Sequence, residues 1–263
     1  MVHRILIVTA VAAEADSVAA GLGPDAPDTA PEHARDTARD TAWEPLALPG
    51  GLTLRRHADG VDLLVGGVGP AAVAAATGTA LAYASLADAA TPYDLVVSAG
   101  IAGGFAPHAP IGTVVVSAAI VAADLGAETP DGYLAVEELG FGRSAHPVPP
   151  ALTGPLAAAL RAGGRPHTVA PVLTVSTVTG TAGRAAELAG RHPTAAAEAM
   201  EGFGVAEAAA AYGVPVVEIR SVSNAVGPRD RAAWRIGEAL DSLRRAFSLL
   251  GPAFSLDFSL EAK

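Results

Sequence analysis

The sequence predicts a three-layer α/β/α domain, with helices on both faces of a central sheet. Three observations carry this. Short apolar runs rich in Val and Ile alternate with Ala-rich stretches of helical character along the chain. Some of these runs, such as Leu95-Val96-Val97, are continuously apolar, as strands covered on both faces are. The 263 residues are 51% apolar but only 5% aromatic, enough for one large core built mostly from Ala, Val and Leu.

Ile5 to Thr9 is a β-branched run, and Ala12 to Gly21 then reads helical, ending at Gly21 and Gly23. The apolar stretch could pass for a signal peptide, but Glu14 and Asp16 interrupt it and no small-residue cleavage site follows. It is read as a first buried strand. Glu14 falls near the strand-to-helix junction, where backbone N–H groups favour an anion, so it is either a surface carboxylate complementing the helix dipole or a site residue. Residues 24–50 differ in kind: Pro24, Pro27, Pro31, Pro45 and Pro49 accompany a repeat of Arg35-Asp36-Thr37-Ala38 as Arg39-Asp40-Thr41-Ala42. Low hydrophobicity and mixed charge predict an exposed insertion without chemistry, within a single domain spanning 1–263.

Leu52 to Arg56 and Val61 to Val65 form a predicted hairpin with Asp59-Gly60 at its turn. Gly66-Gly67-Val68-Gly69-Pro70 opens an Ala-rich helix from Ala71 to about Leu86; it lacks the dinucleotide fingerprint and the P-loop lysine. A strand at Leu95 to Ser98 is followed by the turn Ala99-Gly100-Ile101-Ala102-Gly103-Gly104-Phe105, which either admits a ligand to the backbone or only reverses the chain. Thr113 to Val121 is a strand, and a polar loop runs to about Pro150. Leu152 to Ala162 is a helix, Val172 to Val178 a strand ending in Thr179-Gly180-Thr181, and Arg184 to Gly190 a helix. Ala199-Met200-Glu201-Gly202 follows, then a buried strand to Arg220 leading into Ser221-Val222-Ser223-Asn224. The last helix runs from about Ala232 to Leu250.

Charge and composition exclude several classes. With 17 basic against 27 acidic residues and a net charge of −10, the chain has no electrostatic reason to hold nucleic acid or an anionic membrane. No run is long and unbroken enough to demand a membrane. Cysteine is absent and the 7 histidines show no ligand spacing, so no metal and no cofactor are expected. A cytoplasmic protein is the expectation.

Four motifs stand in a telling order: Ala10-Val11-Ala12-Ala13-Glu14, Ser98-Ala99-Gly100-Ile101-Ala102-Gly103-Gly104, Ala199-Met200-Glu201-Gly202 and Ser221-Val222-Ser223-Asn224. In order and approximate spacing they resemble the nucleoside phosphorylase/methylthioadenosine nucleosidase superfamily over nearly the whole chain apart from 24–50. Within it, Ser223-Asn224-Ala225-Val226-Gly227-Pro228-Arg229-Asp230 and Thr177-Val178-Thr179-Gly180-Thr181 look most like the futalosine hydrolases. The resemblance implies a twisted mixed sheet flanked by helices, a pocket at the sheet's edge, a homodimer or larger homo-oligomer, and cleavage of a ribosyl N-glycosidic bond in a purine nucleoside.

It also implies roles, each of which the residue type suits. Glu14 resembles the general base that deprotonates water. Glu201 offers two acceptor oxygens to vicinal ribose hydroxyls, with Met200 as an apolar wall. Asn224 stands where nucleosidases acting on 6-aminopurines carry aspartic acid. Its NH₂ can donate to a 6-oxo group while its carbonyl accepts from N7–H, a pattern that fits hypoxanthine. Ser98, Ala99, Gly100 and Thr181 are further expected substrate contacts; Trp234, with Arg229 or Arg231, would meet an aromatic carboxylate on the 5′ side. Phosphorylases of the superfamily that the chain resembles carry arginine in the strand before the turn at Ser98; here that strand has no cation, which favours water over phosphate, although Arg4 and Arg220 lie near strands and keep a phosphorylase in play. Futalosine hydrolysis to hypoxanthine, in menaquinone biosynthesis, is the leading expectation. An adenine-releasing nucleosidase for methylthioadenosine or aminodeoxyfutalosine, and a non-catalytic nucleoside-binding module, are the rivals.

Overall fold

The computed structural model describes residues 4–23, 43–87 and 92–255. Strands β1 (Ile5–Thr9), β2 (Trp43–Ala47), β3 (Thr53–His57), β4 (Val61–Val65), β5 (Leu95–Gly104) and β6 (Val114–Ala122) come from the first half. A small hairpin, β7 (Gly126–Thr129) and β8 (Gly132–Ala135), and the short β9 (Ala145–Pro147) follow. β10 (His167–Thr174), β11 (Ala197–Ala199) and β12 (Val216–Ala225) complete the set. The helices are α1 (Ala12–Leu22), α2 (Pro70–Ala87), α3 (Pro150–Ala162), α4 (Ala182–Arg191), α5 (Gly202–Ala211) and α6 (Ile236–Leu250).

The main sheet runs β11-β10-β6-β12-β5-β1-β4-β3-β2, and β9 joins β6. It is mixed: β1 is parallel to β4 and β5, and β5 to β12, whereas β12 and β6 are antiparallel. β11 also pairs antiparallel with β5, which closes β5, β12, β6, β10 and β11 into a ring. Side chains alternate across the pleat. Ile5 and Ile7 of β1 join a cluster with Val18 of α1, Leu156 of α3 and Phe247 of α6. Leu6 and Val8 join a second cluster with Val73 and Ala80 of α2 and Ala209 of α5. These are the two helical layers of the expected three-layer fold. Among the described residues, no helix is long and apolar enough to cross a membrane.

The structure corrects several boundaries. β5 does not stop at Ser98 but continues through the glycines to Gly104, because β12 on one side and β11 on the other supply ladder partners that override weak strand propensity. β12 continues past Arg220 to Ala225 for the same reason. β10 lies earlier than expected, at 167–174, and residues 175–181 are irregular. The polar loop before Pro150 contains the β7–β8 hairpin and β9, and α6 begins at Ile236 after a 3₁₀ turn at Arg231–Ala233. Of the expected insertion at 24–50, the part from 24 to 42 lies outside the described residues. Trp43–Ala47 is a strand with Trp43 buried, and it carries Pro45 on the outermost strand, where a missing donor is tolerated.

Phe247 is fully buried and its ring lies 6.0 Å from that of Phe254. Phe247→Ala is expected to lower unfolding free energy by about 3–5 kcal/mol, through lost burial and the cavity left behind. Leu86→Ala, at a side chain 85% exposed, should stay within about 0.5 kcal/mol of the parent. Urea denaturation of the two variants checks the contrast.

Candidate active site

A cavity of about 370 Å³ opens beside the carboxyl ends of β1, β5 and β12, where the ring meets the rest of the sheet. Glu14, Glu201 and Asn224 all line it, although 187 positions separate the first two (201 − 14). The β1 end delivers Glu14 from the first turn of α1. The β11–α5 junction delivers Met200 and Glu201, and the end of β12 delivers Asn224.

Glu14 is 4% exposed. Its Oε2 accepts from the backbone N–H of Ala10 at 3.0 Å and of Val11 at 3.3 Å, and its Oε1 from that of Ile101 at 2.9 Å. Burial pushes its pKa up; the Arg220 charge and the Ile101 and Ala10 donors pull the other way, and the nearby Glu201 adds to the rise. The result is a fixed carboxylate more basic than an exposed one, with acceptor capacity left on Oε1.

Glu201 is 6% exposed and anchored from three sides. Gly69 N–H donates to Oε1 at 3.2 Å, Met200 N–H to Oε2 at 3.3 Å, and Arg220 Nη2 to Oε2 at 3.1 Å. The Gly66–Gly69 loop thus meets the carboxylate through a backbone amide. Arg220 is itself 1% exposed, and its Nε donates to Glu218 Oε1 at 2.7 Å. Its Nη2 also donates to Ser98 Oγ at 3.3 Å, and its Nη1 to Ile101 O at 3.4 Å. Burial works against the guanidinium charge, but Glu218, Glu201 and Glu14 together outweigh it and hold Arg220 protonated. Glu218 is completely buried; burial raises its pKa while Arg220 lowers it, and its Oε2 has no hydrogen-bond partner.

Asn224 is half-buried. Its Oδ1 accepts from Ser223 Oγ at 2.8 Å and its Nδ2 donates to Ala225 O at 3.0 Å, leaving one N–H and one carbonyl lone pair to spare. Trp234 and Arg229 line the mouth, with the guanidinium 5.2 Å from the ring centroid. Arg231 lies 5.9 Å from the same ring but outside the lining.

Other expected contacts fall elsewhere. Ser98 is buried beneath the floor as the acceptor for Arg220, and Ala99 belongs to the core. Gly100 packs under the site: a Cβ there would meet Glu14 Oε1 and Arg220 Nη1 at 2.5 Å, so only glycine lets both side chains cross the strand. Thr181 caps α4, its Oγ1 accepting from Arg184 N–H at 3.2 Å, and is exposed. The irregular chain at 175–181 turns Val178 and Thr179 toward the cavity instead. The backbone of Ile101 to Gly103 supplies the floor that Ser98 to Gly100 was expected to supply, because β5 runs on past Ser98.

The chain matches the phosphorylase superfamily model over residues 4–250. It is 58% identical to the futalosine hydrolase of Streptomyces coelicolor over 251 residues, 95% of each chain. The chain belongs to the futalosine hydrolase family of the phosphorylase superfamily. A second relative in this family, the futalosine hydrolase of Acidothermus cellulolyticus, is 46% identical over 98% of this chain and 94% of its own. The fold matches the solved futalosine hydrolase of Helicobacter pylori with a TM-score of 0.74 at 15% identity, covering 96% of this chain and 99% of that one. It also matches the methylthioadenosine/S-adenosylhomocysteine nucleosidase of Colwellia psychrerythraea, solved with adenine, with a TM-score of 0.71 at 21% identity over 95% and 96% of the two chains.

For a futalosine hydrolase family member, the fate of the two arginines that kept phosphate in play is informative. Arg220 is engaged by Glu218, Glu201 and Ser98, and Arg4 pairs with Asp62 at 2.8 Å, away from the cavity. Among the described residues, Arg229 is the one cationic side chain in the lining. Sequence reasoning missed the Glu218–Arg220 pair and Glu198, a buried carboxylate held by Thr179. Glu218 and Arg220 stand two residues apart in an otherwise apolar strand and so share one face, which is the signal that points to the pair.

Arg220→Met is expected to destabilise the protein by about 3–5 kcal/mol at pH 7, because it leaves buried carboxylates without their counter-charge. Those carboxylates then hold protons more tightly in the native state than in the unfolded one. The folded variant therefore gains relative stability as pH falls and loses it as pH rises through their raised pKa values. Urea denaturation of parent and variant at pH 7 and pH 5 should show a smaller gap at the lower pH.

Proposed function

We propose that this chain is a nucleosidase that hydrolyses the N-glycosidic bond of futalosine and releases hypoxanthine. What carries the reading is that Glu14, Glu201 and Asn224, from distant parts of the chain, line one cavity. The family relationship supports the same reading. The ribose lies with its vicinal hydroxyls on Glu201, whose orientation Arg220, Gly69 and Met200 hold in advance. Hydrogen bonds from those hydroxyls strengthen as positive charge develops at C1′.

Water attacks C1′ and gives its proton to Glu14, while the C1′–N9 electron pair leaves with the base. The remaining N–H of Asn224 donates to the 6-oxo group, and its carbonyl accepts from N7–H once that nitrogen takes a proton from solvent. Nothing in this sequence asks Asn224 to act as an acid, which a carboxamide cannot do. On the 5′ side, Trp234 stacks on the aryl group of futalosine and Arg229 pairs with its carboxylate. We extend the reading to a cytoplasmic enzyme of menaquinone biosynthesis that works as a homodimer or larger homo-oligomer. The net charge of −10 agrees with a small-molecule substrate and with no nucleic-acid or membrane partner.

A base-release assay with futalosine, inosine, methylthioadenosine and aminodeoxyfutalosine, run with and without phosphate, tests the reading. Futalosine should be cleaved fastest, and phosphate should change nothing; strict phosphate dependence, or adenine as the preferred leaving base, would overturn it. Glu14→Gln should lower kcat by about 10²–10⁴-fold with little change in KM. Since the base must be ionised and burial raises its pKa, kcat/KM of the parent should fall on the acid side with a midpoint above the ordinary 4.5. Asn224→Asp should raise the kcat/KM ratio of 6-aminopurine to 6-oxopurine nucleosides by about tenfold or more, and an unchanged ratio would remove the argument from the carboxamide.

A further inference from the structure

Glu198, Gly103 and Asn224 form one row across three strands of the closed ring. Glu198 on β11 is in register with Gly103 on β5, and Gly103 is in register on its other side with Asn224 on β12. Residues paired in this way present their side chains on one face, and Glu198 and Asn224 both line the cavity. Two strand spacings separate their Cα atoms by about 10 Å, with no side chain at the residue between them. A Cβ at Gly103 would enter this gap, 2.9 Å from Val226 Cγ2 and 3.4 Å from Asn224 Nδ2. A flat bicyclic base laid over Gly103 therefore has a carboxamide at one edge and a carboxylate at the other.

The carboxylate is built for contact. Glu198 is buried, and its oxygens are held by a single residue: Thr179 N–H donates to Oε1 at 2.9 Å and Thr179 Oγ1 donates to Oε2. Both contacts come from donors, so the carboxyl group acts as an acceptor in a fixed orientation, and each oxygen keeps a second lone pair. Burial raises the pKa of Glu198, against the pull of the two Thr179 donors and of Arg184 of α4, while Asp124, after β6, adds to the rise.

We propose that Glu198 reads the purine by accepting the N1–H of a 6-oxopurine, while Asn224 meets the 6-oxo and N7 edge of the same ring. A 6-aminopurine has a lone pair at N1 and would set it against the carboxylate oxygen, so the two edges together select the 6-oxo base. Thr179 is the positioning residue that aims the carboxylate. The inference deepens the proposed function, since it takes the cavity to be a purine nucleoside site.

The test compares binding of hypoxanthine and 1-methylhypoxanthine by calorimetry in the parent, Glu198→Gln and Thr179→Val proteins, beside futalosine cleavage by the parent. The parent should bind hypoxanthine at least about tenfold tighter than the methylated base. Glu198→Gln should weaken hypoxanthine about tenfold or more and leave 1-methylhypoxanthine within about twofold. Thr179→Val, which removes the hydroxyl donor to Oε2 but keeps the backbone N–H on Oε1, should lose less in the same direction. Equal loss for both bases in Glu198→Gln would reduce Glu198 to a structural clamp and overturn the proposal. So would a parent that does not distinguish the two bases, a result that needs no variant to fold. Discrimination without futalosine cleavage would sustain base reading while removing the hydrolase reading; cleavage without discrimination would do the reverse.

Discussion

One buried guanidinium organises the centre of this protein. Arg220 is shut away from solvent with Glu218 and Glu201 bonded to it and Glu14 close by, so a single positive charge answers to three carboxylates. Burying charge is costly unless it is paired and fully hydrogen-bonded. Arg220 makes four acceptor contacts, from β5, β12 and the β11–α5 junction, which ties those elements together. Burial lifts the pKa of Glu14 and Glu218; Arg220 pulls both down, and the nearby Glu201 adds a smaller rise. Structural ion pairing with Arg220 thus tempers the basicity that burial gives the proposed catalytic carboxylate.

The closed ring sets what the cavity presents. Because β11 pairs with both β10 and β5, the strand end that carries Met200 and Glu201 is brought over the last residues of β5. β5 can occupy the middle because its carboxyl-terminal half is nearly all glycine and alanine, leaving the face clear for side chains from its neighbours. Glu14 reaches the same space from β1 on the other flank of β5, through the turn that opens α1. The sugar, water and base positions of the proposed reaction are therefore held by separate rigid elements, and no side chain has to serve two of them.

Much of the fold was legible from local pattern. Apolar runs marked β1 and the start of β5, the Asp59-Gly60 turn marked the hairpin of β3 and β4, and helical runs with breakers marked α1, α2 and α3. The residues that mislead are those whose state depends on a partner. The glycines of β5 read as a loop until two neighbouring strands supply their hydrogen bonds, and Trp43–Ala47 read as part of an exposed insertion until β3 pairs with it. At the site, the motif order pointed to Glu14, Glu201 and Asn224. It also pointed to Ser98, Ala99, Gly100 and Thr181, which lie under or beside the cavity because β5 runs on by several residues and the chain after β10 is irregular.

By itself the sequence determined the layered fold class and the alternation of its elements, because these depend on periodicity, while the order of four motifs, through the family they resemble, singled out the polar residues fit for glycosyl chemistry. The tertiary structure decided which of them share a cavity, that Arg220 answers to carboxylates inside the protein, and that Glu198 stands across Gly103 from Asn224. Those outcomes depend on strand register and burial, which link residues far apart in the chain; of them, the Glu218–Arg220 spacing alone shows in the local sequence.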